Sequence, residues 1–83
     1  MKVNPVIIFR REFDDSGILF NPENGEIFGL NPTAALVWEG LGKNMSKLEI
    51  LAELSKNAQN ILESASADFD ELIISLKERQ FVS

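Results

Sequence analysis

Asn21-Pro-Glu-Asn-Gly-Glu-Ile-Phe-Gly-Leu-Asn-Pro-Thr33 decides how this chain folds. Pro22 pre-sets the φ angle wanted at the second position of a turn. Asn24 and Gly25 tolerate the left-handed conformations that close a hairpin. Glu26-Ile-Phe-Gly-Leu30 reads as the returning strand, with Phe28 and Leu30 on one face and Ile27 on the other. Asn31 is suited to cap a helix, and Pro32 fits the first turn, where no backbone donor is missed. The stretch therefore carries a turn, a strand and a helix start.

Upstream, Val6-Ile-Ile-Phe-Arg-Arg-Glu-Phe13 is rich in β-formers and predicts a first strand. Asp14-Asp-Ser-Gly17 reads as a turn and Ile18-Leu-Phe20 as a second strand, which makes an antiparallel meander of three. Downstream, Ala34, Val37, Trp38 and Leu41 recur at helical spacing, with Gly42 suited to the C′ position. Ser46-Lys-Leu-Glu49 fits a capping box. It opens a second helix with Leu48, Leu51, Ala52 and Ser55 along one face, widened by Ile50 and Leu54. Gln59-Asn60 ends that helix or begins a connection through Ser64 and Ser66. A last helix is expected from about Asp68 to Gln80, with Phe69, Leu72, Ile73 and Leu76 as its apolar stripe. Phe81-Val82 reads as a short extended exit. The order βββααα gives an α+β domain of winged helix-turn-helix type, a three-stranded antiparallel sheet followed by three helices, occupying residues 1–83 as one unit.

Eighty-three residues, 45% of them hydrophobic, support one modest core. A chain of this length buries roughly 60–65% of its unfolded surface. With no cysteine, disulfides and thiolate metal sites are excluded, which suits a reducing compartment. The apolar run Val6–Phe9 before Arg10-Arg11 is too short for a signal-peptide core, and a membrane span needs about 20 apolar residues. The expected location is the cytoplasm, away from the membrane. Thirteen acids against eight bases give a net charge of −5, and the bases are dispersed apart from Arg10-Arg11. Phosphate neutralisation needs clustered Lys and Arg, so nucleic acid is not the expected partner.

Candidates for chemistry are few. The chain has no His, Cys or Tyr, the usual general bases, nucleophiles and metal ligands. Asp14-Asp15 before Ser-Gly reads as a pair of turn formers. Asp68, Asp70 and Glu71 read as acids meeting a helix dipole. The glycines match neither GxGxxG nor a phosphate loop. No catalytic residue, metal site or cofactor is expected, and a small binding module is. Trp38 reads as a core anchor rather than a ligand platform, and Phe20 and Phe28 as core or hairpin-packing residues. Beside the last helix's apolar stripe, Asp70, Ile74, Lys77 and Phe81 form an adjoining strip. Ile74 either widens the core or floors a groove beside the sheet. A lining that mixes apolar and charged groups suits a peptide, since burial supplies affinity and charge sets register.

The run Ile18-Leu-Phe-Asn-Pro-Glu-Asn-Gly-Glu-Ile-Phe-Gly-Leu-Asn-Pro-Thr-Ala-Ala-Leu-Val-Trp38 resembles the PqqD-like family, the precursor-recognition elements of ribosomal peptide natural-product pathways. The likeness lies in the hairpin turn ending in Gly25, Leu30-Asn31 before the first helix, the small residues that follow, and Trp38. Glu71-Leu-Ile-Ile-Ser-Leu-Lys-Glu-Arg-Gln-Phe-Val82 is similar to the family's last helix and apolar exit, with Gln80 where many members carry glycine. The resemblance covers nearly the whole chain from Val6. It implies a sheet packed on three helices, without catalysis of its own. Such a protein binds the leader of a precursor peptide as an added strand between the third strand and the third helix. It acts as a peptide chaperone, delivering the peptide to a radical SAM maturase, a cyclase or a leader peptidase. Carried over by position, the peptide-binding residues are Glu26, Ile27, Phe28, Gly29 and Leu30 on the edge strand, with Asp70, Ile74 and Lys77 as the opposite wall. An exposed edge is otherwise an aggregation liability, so a use for it makes physical sense. The alternative is a winged-helix DNA-binding or transcriptional accessory protein. Charge separates the two, because the second helix sets Glu49 and Glu53 against Lys47 and Lys56.

Overall fold

The computed structural model describes residues 2–57 and 62–83. Along them run β1 (Ile8–Arg11), β2 (Gly17–Asn21), β3 (Glu26–Leu30), α1 (Pro32–Gly42), α2 (Lys47–Asn57) and α3 (Leu62–Glu78). The strands form one antiparallel sheet in the order β1-β2-β3. Register sorts their side chains into two rows. Phe9, Leu19 and Phe28 align across the inner face, and Ile8, Phe20 and Ile27 across the outer one. Leu19 is fully buried at the middle of the inner row.

β1 is shorter than the predicted 6–13. Its far end is taken by a turn in which Glu12 N–H donates to the Ser16 carbonyl and Asp15 adopts a φ of 69°. Phe13 is left fully exposed at the tip. Before β1 the chain pairs with its own other end. Val3 bridges Val82, and Lys2 and Ser83 exchange backbone hydrogen bonds. The extended exit at Phe81-Val82 is thus held by the first residues of the chain.

The Asn31 side chain accepts from Ala34 N–H at 2.8 Å, and Pro32 is the first residue of α1. At the other end, Gly42 lies inside the helix and Asn44 takes the left-handed position, with φ at 60°. Met45 N–H donates to the Gly40 carbonyl and Asn44 N–H to that of Leu41, the paired closure of a Schellman turn. Asn substitutes for glycine there because its short side chain tolerates the left-handed region. Ser46 and Glu49 then form the predicted capping box, at 3.2 and 2.9 Å.

α2 faces inward differently from expectation. Ile50, Leu51 and Leu54 are buried, whereas Leu48 is 80% exposed and Ala52 and Ser55 are also exposed. The reason is Gly40. A Cβ on it would lie 2.7 Å from Ile50 Cγ1, so the two helices meet where α1 has no side chain. That contact turns Ile50 inward and Leu48 out. The expected helix end at Gln59-Asn60 lies outside the described residues. α3 begins at Leu62 rather than Asp68, which puts Ser64 and Ser66 in the helix.

Phe69, Ile73 and Leu76 are the buried stripe of α3, and Leu72 is half-buried at its margin. The helix closes like α1. Phe81 N–H donates to the Leu76 carbonyl and Gln80 N–H to that of Lys77, with Gln80 at a φ of 61°. Gln80 therefore occupies a position suited to glycine. The most deeply buried large side chains, Leu19, Val37, Ile50, Leu76 and Phe81, come from β2, each helix and the exit turn.

Leu76→Ala should lower unfolding free energy in urea by about 2–5 kcal/mol, while Leu48→Ala should change it by less than about 0.5 kcal/mol. Equal costs would mean α2 and α3 are packed by other faces. Gln80→Gly should raise stability by up to about 1 kcal/mol, because relief of left-handed strain outweighs the added chain entropy.

Candidate functional site

β3 is an edge strand, with β2 as its one neighbour among the described residues. In an antiparallel pair, alternate residues aim their backbone N–H and C=O away from the partner. On that outer side lies a cleft of about 450 Å³. Phe28, Gly29 and Asn31 line its strand side, Ala34 and Val37 of α1 reach into it, and Asp68, Glu71, Leu72 and Ser75 form its helical wall. The cleft thus combines an open backbone edge, an apolar interior and an acidic rim.

A clasp holds its far end. The Arg79 guanidinium pairs with the Glu26 carboxylate at the start of β3. It also sits 5.0 Å above the Phe28 ring, and Phe28 meets buried Phe81 edge-to-face at 6.0 Å. Ion pair, cation–π contact and ring contact together tie the exit of α3 to β3. α3 therefore lies alongside β3 in the opposite sense, with Arg79 near Glu26 and Asp68 in the cleft with Asn31.

The structure divides the residues expected from the sequence into two groups. On β3, Glu26 is engaged by Arg79, Phe28 is half-buried in the cleft and Leu30 is buried. Ile27 points to the outer sheet face, 65% exposed, and Gly29 is exposed beside it. The other three do not reach this cleft. Asp70 pairs with Lys47 at 2.9 Å, and with Ile74 it lines a separate groove beside Leu41 and Met45. Lys77 lies by the chain ends with Lys2, Asn4 and Val82. Phe81, placed in the same strip by sequence, is fully buried.

Helical geometry accounts for the difference. At 100° per residue, the stripe Phe69-Ile73-Leu76 has two flanks, Leu72-Ser75-Arg79 on one side and Asp70-Ile74-Lys77 on the other. Periodicity reveals both flanks and is silent on which one meets the sheet. The missed wall residues are Asp68, Glu71, Leu72, Ser75 and Arg79. The available signal was Ser75, a small residue beside an apolar one, together with the opposite charges of Glu26 and Arg79.

Elsewhere the ionisable groups serve local structure. Asp14 accepts from the Ser16 hydroxyl at 2.5 Å and from Ser16 N–H at 3.1 Å, which holds its carboxyl below the ordinary carboxylate range. Arg11 pairs with Glu39 and Asp15 and lies over Phe9. Among the described residues no group of three His, Cys, Asp or Glu could hold a metal ion, and no helix is long and apolar enough to cross a membrane.

The structure is similar to that of TbiB1 in complex with the TbiA(beta) leader peptide. The TM-score is 0.84 at 18% identity, covering 98% of this chain and 93% of that one, a likeness of fold. It is also similar to lasso peptide synthetase B1 complexed with the leader peptide. There the TM-score is 0.81 at 28% identity, covering 95% and 92% of the two chains. No curated protein matches the chain by sequence. The family described as coenzyme PQQ synthesis protein D (PqqD) matches residues 16–82, from the start of β2 to the last buried residue. On that span, which takes in all three helices and the cleft, the protein belongs to the PqqD family.

Proposed function

We propose that this protein captures the leader of a ribosomal precursor peptide by strand addition along β3 and presents it to a modifying enzyme. One observation carries the reading: a strand edge with no second neighbour among the described residues opens onto a cleft with an apolar floor and an acidic helical wall. Strand addition draws affinity from backbone pairing and specificity from pockets for alternate side chains. The leader pairs with the backbone of Glu26–Leu30. Every second side chain enters the cleft against Phe28, Leu72 and Val37, while Asp68 and Glu71 flank its mouth. Family membership and two solved leader-peptide complexes of the same fold support this. Asp70, Ile74 and Lys77 stay clear of the peptide, on the other flank of α3. The chain supplies position, and the receiving radical SAM maturase, cyclase or leader peptidase supplies the chemistry. The setting is the cytoplasm.

DNA binding is the weaker reading. Both lysines of α2 are paired, Lys47 with Asp70 and Lys56 with Glu53. A helix of balanced charge on a protein of net charge −5 attracts phosphate poorly. No salt-sensitive, sequence-selective gel shift of duplex DNA is expected at near-physiological salt.

The test is to search the gene's neighbours for a short precursor reading frame and titrate the leader it encodes against the protein. Ser75→Trp fills the cleft from a half-buried position on its helical wall and should weaken binding at least about tenfold, or 1.4 kcal/mol. Ile74→Glu should leave affinity within about twofold of wild type, since a rim residue outside the contact carries little binding energy. Circular dichroism checks that both remain folded. The reverse pattern would move the peptide to the opposite flank of α3. No binding by wild type would reject the function.

A further inference from the structure

Gly29 sits in the middle of an edge strand, where glycine loosens the backbone and offers nothing to pack. Local structure does not require it. Gly25 is the glycine with positive φ among the described residues, and a Cβ built on Gly29 would meet no atom within 4 Å. A β-branched residue would serve the strand better. The missing side chain leaves a notch on the outer sheet face. Across on β2 stands Ile18, half-buried, and two residues along stands Ile27, 65% exposed. The notch is open on the side where β3 has no neighbour among the described residues.

We propose that the peptide strand bound along β3 sets an aromatic side chain directly opposite Gly29, on the outer face, covering the bare backbone and packing on Ile18 and Ile27. Neighbouring strands lie about 4.8 Å apart, so Ile18 stands roughly 10 Å from the bound strand. A ring laid across glycine spans that gap, whereas a ring laid across any larger residue is lifted off Ile18. An aromatic residue beside a strand glycine restores the packing the glycine lacks. Side chains on either side of the aromatic point into the cleft, so the peptide is read in alternation by cleft, notch and cleft. Gly29 is thus a specificity determinant that the strand tolerates at some cost in stability. This inference rests on β3 being the peptide edge.

A phage-displayed library of random twelve-residue peptides, selected on wild type and on Gly29→Val, tests it. Peptides held by wild type and released by Ser75→Trp should share Phe, Tyr or Trp at one position. Alanine at that position should weaken binding to wild type about fivefold and to Gly29→Val less than about twofold. Gly29→Val should melt at or above the wild-type temperature. Cleft-dependent binders with no fixed aromatic, or an equal alanine effect on both proteins, would overturn this inference and leave the peptide edge standing. Failure to select any Ser75→Trp-sensitive peptide would overturn both.

Discussion

Between β3 and α1 there is one residue, Asn31, and its position constrains much of the domain. Its backbone leaves the strand while its side chain accepts from Ala34 N–H, so α1 must start where β3 stops. No loop is available to swing the helix over the sheet edge. α1 packs under the inner face instead, against β2 and β3. α3 follows on the far side, joined to β3 at its exit by the Arg79 clasp. With one end set by a cap and the other by a clasp, a gap remains between them. That gap is the cleft.

The two edges of the sheet are managed in opposite ways. β1 is four residues long, carries Arg10 and Arg11, and ends in a tight turn. Shortness and positive charge are common defences against unwanted pairing. β3 has neither lysine, arginine nor proline along its length and includes a bare glycine. An edge left this open risks aggregation unless a strand is meant to occupy it. The acidic balance of the chain helps keep copies apart in the meantime.

Element order, strand pairing and both predicted N-terminal caps could be read from the chain, because local rules govern them, whereas the C′ position expected at Gly42 falls to Asn44. Asn31-Pro32 and Ser46-Glu49 satisfy orphaned helix donors wherever they occur. Facing was harder. The predicted stripe of α2 included Leu48, whereas Gly40 turns Ile50 inward, a tertiary contact between residues ten apart. On α3, Ile74 stood out as the apolar residue off the main stripe, and the flank that meets β3 is marked by the plainer Leu72 and Ser75. The strand edge that borders the cleft was legible because an edge is a property of topology. The helix half depends on how three helices turn, which periodicity does not encode. Gln80 shows the reverse case, where the Schellman geometry holds although the residue departs from the favoured glycine.

Strand addition engages backbone amides, so their exchange is the most direct measurement. Residue-resolved hydrogen exchange by NMR, with and without the leader peptide, should show new protection at outward-facing amides of residues 26–30. The amides of β1 and those around Ile74 should be unchanged. Protection confined to the α1–α2 side of α3, or no gain along β3 on saturation with leader, would contradict strand addition at this edge.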